Sequence, residues 1–207
     1  MHFVLYNNTS LHIQVPKDYD NVNIINGCSD EVYYQLVDLL HESFKERLND
    51  NLNFDCATFS LEELKKETSN GIIITAHNDT QPLGMVFLLL KGTGEKRYGC
   101  HEYLAVLPAA KQGGIATSMQ HIMVEIASDL DLLMLTSSTA TTAVSSVKWH
   151  KKNGFIPFRV SKHEGKNYLS YHFFKPIRNS LFLVIIRFLS PITLCLSRII
   201  LSKNFVI

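Results

Sequence analysis

A chain of 207 residues with 46% apolar content and a formal net charge of +1 is long enough to bury one full core, and nothing in it demands a second large domain. A balance this close to neutrality, with no cluster of Lys and Arg interleaved with aromatics, argues against nucleic-acid binding. The four cysteines, Cys28, Cys56, Cys100 and Cys195, are scattered without a C-x-x-C pair or a histidine at ligand spacing, so no metal site or disulfide framework is expected and a reduced, cytoplasmic setting is. The first residues lack the charged segment and long apolar run of a secretory signal.

In chain order, Val22 to Ile25 is short and β-branched and is expected to form the first strand. Ser29-Asp30-Glu31 starts a helix whose residues Tyr33, Leu36, Val37, Leu40 and Phe44 share one face. Ser60-Leu61-Glu62-Glu63 resembles a capping box displaced by one residue, opening a second helix that runs to about Thr68. Gly71 to Thr75 and Leu83 to Leu90 read as strands joined into a hairpin through Asn78-Asp79, and Tyr98 to Val106 as the next antiparallel strand. After a third helix come a buried strand at Leu132 to Thr136, a helix ending at Asn153, and a closing hairpin of Phe155 to Val160 with Tyr168 to Phe174. Ser137-Ser138-Thr139 is expected to cap the helix that follows, since no histidine–acid pair accompanies it as a nucleophile would need, and Trp149 is expected to anchor the core. This order predicts an α/β fold with a mixed, mostly antiparallel central sheet flanked by helices.

The most informative stretch is Val106 to Ala116, V-L-P-A-A-K-Q-G-G-I-A. An apolar strand ends, Pro108 stops ladder pairing, and a loop with Gly113 and Gly114 opens directly into a helix with Ile115, Met119, Ile122, Met123 and Ile126 on one stripe. Exposed N–H groups of a first helical turn and its positive dipole end hold phosphate, and glycines let the main chain come close to it. Downstream, Trp149-His150-Lys151-Lys152-Asn153-Gly154-Phe155 closes a helix at Gly154 and re-enters a strand.

The pair of motifs, Lys111-Gln112-Gly113-Gly114-Ile115-Ala116 and His150-Lys151-Lys152-Asn153-Gly154-Phe155, resembles those of the GCN5-related N-acetyltransferase (GNAT) superfamily, whose acyl-CoA loop reads Arg/Gln-x-x-Gly-x-Gly/Ala and whose next motif resembles Tyr-x-Lys-x-Gly-Phe. The resemblance is specific from Cys100 to Phe158, looser from Val22 to Lys175, and stops before the tail. It implies the acyl-CoA N-acyltransferase fold over 1–179, acetyl-CoA as co-substrate, no metal, and transfer to a primary amine of a small molecule or sugar by direct attack in a ternary complex. It also implies a cleft between the strand before the loop and the strand after its helix, where the pantetheine arm of CoA lies. Leu104 and Val106 would contact the cofactor, with the Val106 main-chain N–H on the thioester oxygen, and Lys111, Gln112, Gly113, Gly114, Ile115, Ala116 and Thr117 would lie at the diphosphate. Lys111 stands where Arg or Gln is usual, Ala143 where an asparagine often contacts the cofactor, and His150 where a tyrosine often protonates the CoA thiolate.

Acetyl transfer to an amine needs a proton acceptor, oxyanion support and a proton for the thiolate. Glu102, four residues before Val106, is placed by strand alternation on the same face as Val106, Leu104 and Cys100, which makes it the candidate base; the alternative is a sheet-face acid answering a nearby cation. His101 points the other way and is expected to be satisfied or solvent-facing. His150 is the candidate acid, its pKa raised by a helix C-terminus; the alternative is a surface histidine. The acceptor would be shaped by about Arg47 to Phe59 and the last hairpin, with Arg47, Asp50, Asp55 and Glu63 available to orient an amine.

No Asp or Glu follows Glu164, and 180–207 forms a hydrophobic helical extension. Within 180–202, Arg187, Pro191, Arg198 and Ser202 group on one helical side, with Ser180, Ser190 and Ser197 on or beside it. A helix lying in a membrane interface, peripheral to the cytoplasmic face, explains a narrow basic stripe opposite a broad apolar face. The alternatives are a spanning helix, opposed by Arg187 and Pro191, and a helix docked on the domain or in a homodimer. A membrane tail would connect the acceptor to surface-polysaccharide or lipid-linked sugar assembly. Two other functions remain open: an acyl-CoA-binding protein without turnover, and a membrane-associated interaction protein working through its tail.

Overall fold

The computed structural model describes residues 1–49, 53–79, 81–162 and 165–204. Its sheet is built from β1 (His2–Asn7), β2 (Val22–Asn26), β3 (Gly71–His77), β4 (Pro82–Lys91), β5 (Tyr98–Val106), β6 (Met134–Ala140), β7 (Ile156–Lys162) and β8 (Leu169–Pro176). They lie in the order β2-β1-β3-β4-β5-β6-β8-β7. The sheet is mixed and mostly antiparallel, with β1–β2 and β5–β6 as parallel pairs. Among the described residues five α-helices accompany it: α1 (Asp30–Asn49), α2 (Leu61–Thr68), α3 (Ile115–Asp129), α4 (Val144–Lys152) and α5 (Leu181–Asn204).

The central strands β3 and β4 are near-continuous apolar runs because both their faces are covered. Ile72, Ile74, Val86 and Leu88 pack against Met119, Ile122, Met123 and Ile126 of α3. Ile73, Met85 and Phe87 pack against Tyr33, Leu36, Val37 and Leu40 of α1 and Leu64 of α2. Gly84 sets how closely α3 approaches β4, since a Cβ there would sit 3.0 Å from the Ala105 carbonyl oxygen and 3.1 Å from both Ile115 and Met119. That approach fixes the helix end on which the glycine loop is mounted.

Several elements differ from the sequence expectation. The first strand is not Val22 to Ile25 but β1, which lies between β2 and β3 with Phe3, Val4, Leu5 and Tyr6 all buried; covered on both faces, it shows no polar–apolar alternation. β6 continues to Ala140, so Ser137-Ser138-Thr139 is strand and not a cap: these residues pair with Phe173, His172 and Tyr171 of β8. The N-cap of α4 is Ala143, with no side-chain hydrogen bond. The box at Ser60 is in register, not displaced, with Ser60 Oγ accepting from the Glu63 N–H at 3.2 Å and a Glu63 carboxylate oxygen accepting from the Ser60 N–H at 2.8 Å.

Replacing Ser60 with Ala removes the acceptor of one otherwise orphaned donor and leaves Glu63 without its reciprocal partner. The expected loss is about 1 kcal/mol, read as a lower urea midpoint with an unchanged slope.

Candidate functional site

Strands β5 and β6 pair only through Gly99 with Leu135, Cys100 with Thr136 and His101 with Ser137, and then part. The cause lies in β5. Phe87 of β4 opposes Glu102 and Met85 opposes Ala105, so β5 spends one residue more than β4 over the same length. Within that bulge Tyr103 holds a left-handed backbone conformation, φ 53°. A bulge bends and twists its strand, and here it carries β5 away from β6. The resulting cleft encloses about 940 Å³, lined by both strands, by Lys111, Gln112 and Ala116 of the loop, and by Ala143, Ser146, Trp149 and His150 around α4. Beyond β5 the Leu107 N–H bonds the Leu83 carbonyl at 2.9 Å. Successive N–H groups point to opposite edges of a strand, so the Val106 N–H points to the edge that β6 has left.

A 3-10 turn at Pro108–Ala110 follows the strand, and the glycine loop opens directly into the helix, as expected. Gln112 then takes φ 70° and Gly114 φ 78° before α3 begins at Ile115. Gly114 is the N-cap of α3, and no side chain caps the turn. The first-turn N–H groups, which no intrahelical carbonyl can reach, are left for an anion. Of the residues expected to hold a cofactor, Leu104, Val106, Lys111, Gln112 and Ala116 line the cleft. Gly113, Gly114 and Thr117 form the loop and first turn, whereas the Ile115 side chain is buried in the core and can offer only its main chain.

Glu102 also lines the cleft, but not on the expected face. The bulge breaks the alternation: Glu102 stays with Cys100 on the side of Phe87 and Leu89, facing α1 and α2, while Leu104 and Val106 pack on the α3 side. Burial raises the Glu102 pKa, the Lys91 ammonium opposes this, and the Glu67 carboxylate adds to it. A carboxyl held above its usual range is a better proton acceptor.

His150 is buried, 3% exposed, and is not a surface side chain. Its Nδ1 lies 2.8 Å from the Ser146 carbonyl and its Nε2 2.9 Å from Ser137 Oγ. A carbonyl only accepts, so Nδ1 carries the proton and Nε2 takes the Ser137 hydroxyl proton. Burial lowers the pKa, and the Ser146 bond opposes this more weakly; the helix C-terminus does not reverse it. The ring stacks on Phe173 at 4.7 Å. His101 is equally buried and packs against Trp149, His150 and Phe155. Burial, with the neighbouring His150 second, pushes it down to about 3. Trp149 packs on the core as expected.

At the other end of the cleft, Phe44, Phe54, Tyr103 and Tyr168 supply an aromatic wall, with Phe54 and Tyr168 rings 4.8 Å apart. Two loops meet there. Asn53 Nδ2 donates to the Gly165 carbonyl at 2.6 Å, the Asn167 N–H donates to Asn53 Oδ1 at 3.0 Å, and Lys166 donates to the Asn53 carbonyl at 2.8 Å and pairs with Asp55. Asp55 thus reaches the cleft with a partner already in place. Glu63 is committed to the cap of α2, and the Arg47 side chain and Asp50 lie outside the described residues. The bulge, the Ser137–His150 contact and this clasp were not read from sequence, for each joins residues distant along the chain; Phe54 and Asp55, in the segment from about Arg47 to Phe59, and Tyr168, in the last hairpin, line the cleft where the acceptor was expected to be shaped.

The two buried histidines tie stability to acidity. Their folded pKa values lie below the unfolded one, so their contribution is complete above about pH 6.5 and is lost as the pH falls below it, where the unfolded chain binds more protons. His101→Phe is expected to flatten the fall in melting temperature between about pH 6.5 and pH 4 relative to the parent protein.

No family model matches the sequence, and no curated protein matches it. Solved structures match in fold. One chain of the NatC complex bound to Gag peptide and CoA is 12% identical over 86% of this chain and 100% of that one, with a TM-score of 0.59. A GNAT-family acetyltransferase from Streptococcus pneumoniae is 17% identical over 73% and 96%, TM-score 0.58. PaiA N-acetyltransferase from Thermoplasma acidophilum, in complex with coenzyme A, is 17% identical over 72% and 95%, TM-score 0.55. With strand order, parting strands and uncapped glycine loop all in place, the chain has the acyl-CoA N-acyltransferase fold of the GCN5-related N-acetyltransferase superfamily.

Proposed function

We propose that this protein is an acetyl-CoA-dependent N-acetyltransferase that acetylates a primary amine of a small molecule or sugar by direct attack in a ternary complex. The observation that carries this reading is the uncapped first turn of α3 beside a strand edge deserted by its neighbour. Diphosphate is held by the main-chain N–H groups from Gln112 to Thr117, and Lys111 lies on the same loop. The pantetheine arm runs between β5 and β6, where its amides replace the missing ladder. The amine nitrogen attacks the thioester carbon, the Val106 N–H supports the oxyanion, and Glu102 takes the amine proton. As the tetrahedral species collapses the C–S bond breaks, and the thiolate draws a proton from solvent. His150, neutral with Nε2 accepting, holds Ser137 in place and is not the acid.

The acceptor end supports a slim amine. The clasp between Asn53 and residues 165–167 joins two loops at this end of the cleft, Phe54 and Tyr168 supply aromatic surface against which a sugar ring would pack, and Ser43 Oγ is buried without a hydrogen-bond partner among the described residues.

Thiol release from acetyl-CoA across a panel of amines and amino sugars tests the reading. Glu102→Gln is expected to lower kcat/KM by about a hundredfold or more with the KM for acetyl-CoA unchanged. The parent rate falls with decreasing pH through a pKa above the ordinary glutamate range, because protonation removes the base. Gly114→Asp keeps a residue tolerated at positive φ but sets a carboxylate against the diphosphate. It is expected to weaken CoA binding about tenfold by calorimetry. Binding without release on any amine identifies an acyl-CoA-binding protein without turnover; no heat with any acyl-CoA rejects the reading altogether.

A further inference from the structure

We propose that α5 lays the protein flat on an anionic membrane surface, with its outward apolar face in the lipid interface and its inward face remaining on the sheet. The inference is independent of the chemistry in the cleft. Three sectors run along the helix. Facing the domain, Leu183 packs with Leu133 and Phe174, Ser197 Oγ accepts from the Val160 N–H at 3.0 Å, and Thr193 Oγ1 donates to the Phe158 carbonyl at 2.7 Å. Facing outward, Leu181 and Phe188 are each 77% exposed, and Ile192, Leu196 and Ile200 are more than half exposed. Between the two lies a cationic seam. Arg187 and Arg198 are eleven residues, about three turns, apart, and both are exposed, although the Arg198 guanidinium lies over the Tyr171 ring at 5.3 Å and donates to its hydroxyl.

Leu183–Leu201 has a mean hydropathy of 1.9 yet is only 11% buried. A core helix of that composition would be mostly covered, so the apolar surface is left for something outside the described fold. The charge chooses the occupant. The seam is cationic and no acidic residue follows Glu164, so a second copy would bring the same cations and no counter-charge from its helix. Anionic headgroups supply it, and the Arg187 side chain at the rim of the apolar face is long enough to reach them. Spanning is excluded by the inward sector: drawing α5 into a bilayer would strip the exposed edge of β7 of its hydroxyl partners at Phe158 and Val160. A helix parallel to the surface keeps both faces satisfied. Because α5 runs alongside β7 toward the β7–β8 turn, the hairpin that carries the membrane face also carries the clasp over the acceptor end.

Vesicle flotation of the full-length protein tests this. Binding is expected to phosphatidylcholine vesicles containing phosphatidylserine and to fall sharply on phosphatidylcholine alone. Phe188→Ser with Ile192→Ser should cut partitioning about tenfold or more, and Arg187→Gln about fivefold on the anionic vesicles only, both with unchanged circular dichroism. Absence of flotation, equal flotation on both compositions, or variants that float like the parent overturns the proposal. So does a parent that stays in solution as a dimer which the Phe188/Ile192 variant converts to monomer, since the occupant is then a second copy.

Discussion

Three paired residues hold β5 to β6, and the loss of contact after His101 and Ser137 governs what the rest of the molecule can do. A parallel pair that stays zipped buries its edges and has nothing to offer a ligand. The bulge at Tyr103 prevents that and does a second thing: by inserting one residue it leaves Glu102 on the α1 side while returning Leu104 and Val106 to the α3 side. A carboxylate on one face of the sheet and a main-chain donor on the edge that β6 leaves therefore come from one strand, four residues apart, without competing for one face. The backbone cost of a non-glycine residue at φ 53° is met by Tyr103's own contacts, an edge-on ring from Phe59 at 5.3 Å and a hydrogen bond to Glu67 at 3.2 Å.

Desolvation sets the protonation states along the cleft with one rule and two outcomes. It disfavours whichever form is charged, so Glu102 is pushed up, Tyr168 is pushed up to about 12, and His101 and His150 are pushed down. The floor between α4 and β6 is thereby kept neutral, and Ser137 links the two histidines by hydrogen bonds instead of by charge. For the proposed transfer, a neutral floor suits a thioester and an uncharged amine better than an ion pair would, because the charge that develops then meets dipoles already aimed at it.

What the sequence disclosed follows the same physics. Tyr98 to Val106, the Gly71 and Leu83 strands and the stripe from Ile115 to Ile126 repeat with the period of their element and bury one face or two, and each stands where its pattern placed it. Gly154, at φ 81°, ends α4 as its position before Phe155 suggested. Features made by pairing across the chain left no periodic trace. Ser137 to Thr139 reads as a cap until β8 is laid beside it, and β1 carries no alternation because both its faces are covered, Phe3 and Leu5 in one core cluster and Val4 and Tyr6 in the other. Glu102 was chosen for a geometry that a single bulged residue overturns, although the same residue still lines the cleft.

The tail turns on how a sheet edge is closed. β7 is the last strand in the sheet, and an open edge invites pairing with another chain. α5 covers it with hydroxyls: Thr193 and Ser197 bond the strand's main chain, and Ser190 Oγ donates at 2.9 Å to the Arg187 carbonyl, the group that Pro191 cannot reach for want of an N–H. For a helix selected only to stabilise a soluble domain, the sectors would be reversed, with Phe188 and Ile192 inward, where burial is worth about 2 kcal/mol per large apolar side chain, and the hydroxyls in water. The observed arrangement uses the polar stripe on polar backbone and turns the apolar surface outward. That pattern is stable where the outside is itself apolar at the depth of a side chain and anionic at the rim where the arginines lie.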